Sequence, residues 1–365
     1  MEKDAKIFVA GHNGLVGSAI LRLLHSQGYT NVIVRSHSEL DLIRQEETER
    51  FFDEERPDYV FLAAAFVGGI VANSTYRADF IYRNLQIQNN VIHNSWRTGV
   101  KKLCFLGSTC IYPREAPQPM HEDCLLTSPL EYSNEPYAIA KIAGLKMCES
   151  YNLQYGTNFI AVMPTNLYGP HDNFNLETSH VLPALLRKAH LGRMLAIGGA
   201  DAIRPDLNRY PIEGITGEST SAEMLSILEK YGITLSKDGR VSIEIWGTGK
   251  PMREFLWSED MAEACIFVMQ NIDFKDTYAQ GNKEVRNCHI NIGTGKEISI
   301  KALAQKIVET TGFDGTIVWN TDKPDGTPRK LTDPTKLHRL GWHHKVELDE
   351  GIQRLYKWYL CTTKD

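Results

Sequence analysis

A tyrosine and a lysine four residues apart, Tyr137 and Lys141 in N-E-P-Y-A-I-A-K, and Ser108 in L-G-S-T-C carry the most specific chemistry in this chain. The spacing predicts one helix face, with the ammonium reaching beneath the phenol and favouring its ionised form. A phenol so placed trades a proton with a carbonyl oxygen, as a nicotinamide-dependent ketone reductase requires while hydride reaches carbon. Cys110 lies two residues beyond Ser108 and is expected to enter the same pocket, and His180, at the start of a later helix, is expected to face it. Thiol and imidazole both exchange protons near neutral pH. Tyr-x-x-x-Lys alone also describes two solvated helix positions, and a lone cysteine or histidine is commonly structural, so the surrounding elements must decide.

Those elements read as a parallel sheet wrapped by helices. Apolar runs at 6–10, 31–35, 59–65, 101–107 and 159–164 alternate with helical patterns at 15–27, 79–97 and 135–155. The predicted fold class is α/β, a Rossmann-type doubly wound parallel sheet with a smaller mixed α/β substrate domain. Gly11-His12-Asn13-Gly14-Leu15-Val16-Gly17 follows the first strand and opens the first helix, where glycines let the backbone approach a pyrophosphate seated at the helix N-terminus. At the end of the second strand the acidic residue that would hold an NAD ribose is absent, and Arg35 stands there, followed by Ser36. An arginine fork suits a 2′-phosphate, so NADP(H) is the expected cofactor. Small residues at 62–65 and the run Pro164, Thr165, Asn166, Leu167 end the third and fifth strands, at the carboxyl edge where such sheets bind ligands.

A length of 365 residues suggests one large domain and a smaller one. The texture changes after Pro170 to longer polar loops and shorter helices, at 180–189, 221–231, 299–311 and 348–360. Strand-then-helix character at 257–270 suggests that the chain returns to the first lobe near 254–272. Apolar content of 42% and charged content of 23% describe an ordinary globule, and a net charge of −5 gives no case for nucleic acid or an acidic membrane surface. The first residues show no signal-peptide pattern, and the longest apolar run, near 60–72, is interrupted by Gly68 and Gly69, so a cytosolic protein without membrane contact is expected. Seven cysteines without a C-x-x-C pair fit a reducing compartment and suggest no metal site.

Longer runs make the pattern more specific: G-H-N-G-L-V-G-S-A-I, A-A-A-F-V-G-G-I-V-A-N, L-G-S-T-C-I-Y-P, N-E-P-Y-A-I-A-K-I-A-G, M-P-T-N-L-Y-G-P-H-D-N-F, W-G-T-G-K-P-M-R-E-F-L and K-P-D-G-T-P-R-K. Across almost its whole length the chain resembles the extended short-chain dehydrogenase/reductase family and, within it, the bifunctional GDP-L-fucose synthases. The resemblance implies that Ser108, Tyr137 and Lys141 support hydride transfer and that Cys110 and His180 are acid and base of an epimerisation. It implies cofactor contacts at Gly11 to Gly17, Leu106, Gly107, Ser108, Thr109, Lys141, Pro164 to Leu167 and His180. Nucleotide-sugar contacts would fall on Lys188, Trp246, Arg253 and Asp325. The implied reaction converts GDP-4-dehydro-6-deoxy-D-mannose to GDP-L-fucose by inversion at carbons 3 and 5 and NADPH reduction at carbon 4, in a homodimer. Residues 1–170 would then form the NADP domain and 171–365 mainly the nucleotide-sugar domain. A stretch at about 192–240 is extra relative to shorter family members, expected as a surface insertion that adds packing, an interface or a lid. A simple 4-reductase or 4-epimerase would share the triad without needing Cys110 and His180 together; an NADP-binding regulatory module would have no use for a poised phenol.

Overall fold

The computed structural model describes residues 1–279, 281, 283–323 and 325–362. Contacts divide the chain into two compact units: the first comprises Met1–Leu167, Glu254–Lys296 and Leu331–Val346, the second Tyr168–Arg253, Glu297–Lys330 and the residues from Glu347 onward.

The first unit is built on β1 (Ile7–Ala10), β2 (Val32–Ile33), β3 (Tyr59–Leu62), β4 (Lys102–Leu106) and β5 (Phe159–Pro164), with Ile290–Ile292 as a sixth strand beside β5. The order across the sheet is Ile290–Ile292, β5, β4, β3, β1, β2, and every pairing is parallel. Continuous apolar strands follow from burial on both faces. Ile7 and Val9 pack with Ala19 and Ile20 of the helix Leu15–Ser26 and Met261 and Cys265 of the helix Ser258–Asn271. Phe8 and Ala10 point the other way, toward Phe51, Val91 and Leu145 on the helices Gln45–Glu55, Arg77–Arg97 and Glu135–Tyr155. Because β2 and β3 flank β1 on opposite sides, the winding reverses there, and a crevice opens beyond the carboxyl ends of β1 and β3.

Two strands differ from the sequence expectation. β2 forms only over two residues, and Ile290–Ile292 escapes the apolar pattern because buried polar residues interrupt it. Their hydrogen bonds explain the burial. The Asn291 amide donates to the Met120 carbonyl at 3.0 Å, the Tyr112 hydroxyl donates to Asn291 Oδ1 at 2.5 Å, and His289 Nε2 lies 3.0 Å from that hydroxyl. The last segment of this unit is anchored by Asp260, whose Oδ2 accepts from the backbone N–H groups of Lys345 and Val346 at 2.9 and 2.8 Å.

The second unit places the helix Val181–Ala202 against a three-stranded sheet ordered Thr316–Asn320, Val241–Trp246, Ile233–Leu235. Gly192 makes the close approach feasible, since a Cβ there would stand 2.8 Å from the Phe313 ring. The stretch at 192–240 is not the surface excursion the sequence suggested. It begins inside a helix and buries Leu195, Ile203, Leu207, Ile212, Met224 and Leu228. Arg187, with no exposed surface, donates through Nε and Nη2 to Asp206 Oδ1 at 3.0 and 2.8 Å, and Tyr359 of the helix Leu348–Thr362 donates its hydroxyl to the other Asp206 oxygen. Among the described residues no helix is long and apolar enough to cross a membrane.

Candidate active site

The loop after β1 has the shape of a dinucleotide cradle. Gly11, at φ +85°, sits so close to β3 that a Cβ would lie 2.6 Å from the Ala64 amide nitrogen, and a Cβ on Gly17 would strike the Gly11 carbonyl. Gly14 precedes the helix Leu15–Ser26 and supplies no side-chain cap, which leaves N–H groups of the first turn to an anion. Asn13 and Gly14 are exposed, while His12 keeps a buried Nδ1 without a hydrogen-bond partner. These residues fit the pyrophosphate of a dinucleotide. Arg35 is less simple than the sequence implied: Nη2 is 2.5 Å from Glu55 Oε1 and Nη1 donates to the Val34 carbonyl at 2.8 Å.

The triad gathers at the end of β4. The Ser108 hydroxyl accepts from the Cys110 backbone N–H at 3.2 Å and donates to Cys110 Sγ at 3.1 Å, which holds the short helix Thr109–Ile111 and sets hydroxyl and thiol side by side. Tyr137 and Lys141 come from the helix Glu135–Tyr155, which lies tight on the sheet because Gly144 leaves no room for a Cβ, whose nearest neighbours would be the Phe105 ring and, at 2.7 Å, Gln88 Oε1. That approach lets Lys141 Nζ donate to the Leu106 carbonyl at 2.8 Å and sit 4.8 Å from the Phe105 ring and 5.8 Å from the Tyr137 ring. Burial lowers the Lys141 pKa to about 8. Burial, and then the Cys110 charge, raise the Tyr137 pKa despite a hydrogen bond with Ser108. The expected ionised phenol is therefore not what these surroundings favour; desolvation holds the proton, and Tyr137 stands as a proton donor.

One buried glutamate draws the strand ends together, through its carboxylate and its main-chain carbonyl. Glu254, completely buried, accepts at Oε1 from the N–H groups of Thr294 and Gly295 at 2.5 and 2.7 Å, and at Oε2 from the N–H of Thr332 at 2.9 Å and from its hydroxyl. Its own carbonyl accepts from the Asn166 amide at 2.8 Å, and the Thr165 N–H donates to Ile292 at 3.0 Å. Gly107 is pinned beside β5, its N–H bonded to the Val162 carbonyl at 2.8 Å.

The second unit carries the remaining candidates, with Lys188, Trp246 and Asp325 near the end of the strand Val241–Trp246. Lys188 Nζ donates to the Glu244 carbonyl at 3.0 Å, and burial lowers its pKa to about 8. Trp246 is half-exposed, with Lys323 Nζ 5.2 Å from its ring. Asp325 accepts from the Thr248 N–H at 2.8 Å and the Thr248 hydroxyl at 2.7 Å. Arg253 Nη1 is spent on the carbonyls of Met252 and Thr327 at 2.7 and 2.6 Å, which leaves the Nε–Nη2 edge for a phosphate fork. His180 is the exposed N-cap of the helix Val181–Ala202, and desolvation and then Lys330 lower its pKa. Sequence reasoning passed over Asp172 in the same loop. Burial raises its carboxyl to about 7, and its Oδ2 and the Ser179 hydroxyl are buried without hydrogen-bond partners. The signal was its place in Y-G-P-H-D-N, eight residues before His180.

A family model described as the NAD dependent epimerase/dehydratase family matches residues 7–207 and 218–293. The chain belongs to that family. Among its relatives, GDP-L-fucose synthase 1 of Arabidopsis thaliana is 49% identical over 359 residues, 98% of this chain and 94% of the relative. A solved GDP-6-OMe-4-keto-L-xylo-heptose reductase from Campylobacter jejuni is 46% identical with TM-score 0.92, covering 99% of each chain. A GDP-mannoheptose C4 reductase of the same organism, solved with NADP bound, is 46% identical with TM-score 0.85 and the same coverage.

Proposed function

We propose that the protein converts GDP-4-dehydro-6-deoxy-D-mannose to GDP-L-fucose, inverting carbons 3 and 5 and then reducing the 4-keto group. The observation that carries this reading is the thiol of Cys110 hydrogen-bonded to Ser108 beside Tyr137 and Lys141. A plain reductase needs the triad alone; a proton-exchanging thiol within it serves inversion next to a ketone. Curated relatives named GDP-L-fucose synthase, at 45–50% identity, support the same conclusion.

The protons at carbons 3 and 5 flank the ketone, so loss of either gives an enolate. Ser108 and Tyr137 would hydrogen-bond its oxygen, Cys110 and His180 would serve as acid and base, and Tyr137 would protonate the alkoxide formed at carbon 4. NADP(H) is the cofactor and, when bound, supplies the hydride. Gly11 to Gly17 would hold its pyrophosphate, Lys141 its nicotinamide ribose, and Leu106 to Thr109, Pro164 to Leu167 and His180 its remaining contacts. Lys188, Arg253, Trp246 and Asp325 would hold the GDP part, the two cations facing its pyrophosphate. A cytosolic enzyme is the setting that the cysteine spacing suggests, seven residues without a C-x-x-C pair. Exposed Tyr82, Leu153 and Tyr155 on the helices Arg77–Arg97 and Glu135–Tyr155 support the homodimer.

A second reading deserves a direct comparison because GDP-heptose reductases match equally well, at 46% identity. The protein would then only reduce a GDP-4-keto-heptose. Incubation with NADPH and GDP-4-dehydro-6-deoxy-D-mannose in deuterated water should yield GDP-L-fucose labelled at carbons 3 and 5. Cys110→Ser should slow label uptake by about 10²-fold or more while leaving NADPH binding intact. No turnover of this substrate, alongside unlabelled reduction of a GDP-4-keto-heptose, would establish the second reading.

A further inference from the structure

In folds of this kind the 2′ position of the adenine ribose faces the end of β2. Here that place is already taken by an anion. The chain turns back after β2, with the N–H groups of Glu39 and Leu40 bonded to the Ser36 carbonyl at 3.1 and 3.0 Å. The turn carries Glu39 Oε2 to 2.7 Å from both the N–H and the hydroxyl of Ser36, whose hydroxyl is also 3.1 Å from that of Ser38. These hydrogen bonds first, then the charges of Arg35 and His12, lower the pKa of the Glu39 carboxyl. A backbone N–H, two serine hydroxyls and a neighbouring guanidinium are what a phosphate monoester requires. Arg35 itself leans on a second carboxylate, Glu55.

We propose that Glu39 is an internal occupant of the 2′-phosphate seat, and that NADP(H) binds by displacing its carboxylate from Ser36. This rests on the NADP(H) reading above. A carboxylate and a phosphate cannot share the same donors, because like charges at hydrogen-bonding distance repel. Glu39 is exposed, so it can swing into water, and Ser36, Ser38 and Arg35 then turn to the phosphate. NADH brings a hydroxyl in place of that phosphate, and a hydroxyl can donate to Glu39 without moving it. The residue therefore weighs against the phosphorylated cofactor alone, lowering its apparent affinity by the fraction of molecules in which the seat is open.

The test titrates the full-length protein with NADPH and with NADH, without sugar nucleotide, and follows fluorescence of the reduced nicotinamide. Glu39→Ala and Glu39→Gln should each tighten NADPH by about tenfold, as for a seat open in about a tenth of molecules, and leave NADH unchanged or weaker. Unchanged NADPH affinity in both variants, with lower thermal stability, would show that Glu39 only caps the turn and would overturn the proposal. Equal tightening of both dinucleotides would overturn it as a diffuse charge effect. If the wild type binds neither dinucleotide, the cofactor reading falls and the proposal falls with it.

Discussion

Lys141 holds its ammonium where water barely reaches, bonded to one carbonyl and flanked by two rings. Its pKa, about 8 in the folded protein against 10.5 when unperturbed, has a definite consequence for stability. Below pH 8 the lysine is charged in both states and the folded protein bears the full burial penalty. Between pH 8 and 10.5 the unfolded chain binds the extra proton, so the lysine's contribution to stability improves as pH rises. The urea-unfolding free energy of wild type minus that of Lys141→Met should therefore grow by about 3 kcal/mol across that window. A flat difference would mean that the ammonium is solvated. That Ser108, Tyr137 and Lys141 come together was legible in the sequence, since residue type and spacing bring them to one place. The ionisation of the phenol was not, because it depends on how tightly Gly144 lets a helix press on Phe105. Glu39 and Asp172 were missed for the same reason: a turn and the burial of a loop carboxyl give them their surroundings, and neither is a pattern of residue types.

At the scale of elements, Glu254 ties three strand ends together. It bonds the backbone after Ile290–Ile292, the start of the segment Leu331–Val346, and, through its carbonyl, the amide of Asn166 after β5. Glu254→Ala should strand several buried N–H groups at once and destabilise the protein by more than about 3 kcal/mol in urea unfolding. Glu254→Gln keeps the main-chain carbonyl that Asn166 uses and should fold, and because Arg253 adjoins it the variant should show a raised KM for the nucleotide sugar with a smaller change in kcat. Long elements matched their sequence patterns closely: the helix expected at 135–155 is observed at Glu135–Tyr155, and β5 at Phe159–Pro164. Short ones did not. Ile290–Ile292 hides its alternation behind His289 and Asn291, and Ile233–Leu235 is too brief to rise above its polar surroundings.

At the scale of the molecule, the stretch at 192–240 is part of a core. Asp206 neutralises a guanidinium that has no access to water and also receives the Tyr359 hydroxyl. Asp206→Ala should leave that cation buried without its partner and cost about 3–5 kcal/mol, measured by chemical denaturation. Arg187→Met combined with Asp206→Leu should recover much of the loss, and failure of the double variant to recover any would point to packing instead of charge. Excision of the stretch should unfold the second unit. The sequence could mark this stretch as extra but not as internal, because a buried ion pair spans 19 residues and carries no periodicity.

The first unit is assembled from three separate pieces of polypeptide, and its final piece, Leu331–Val346, is held by Asp260 through the N–H groups of Lys345 and Val346. During synthesis the first unit therefore cannot close until the ribosome has passed residue 346. An arrested nascent chain ending before residue 331 should stay protease-sensitive despite having all five early strands in hand.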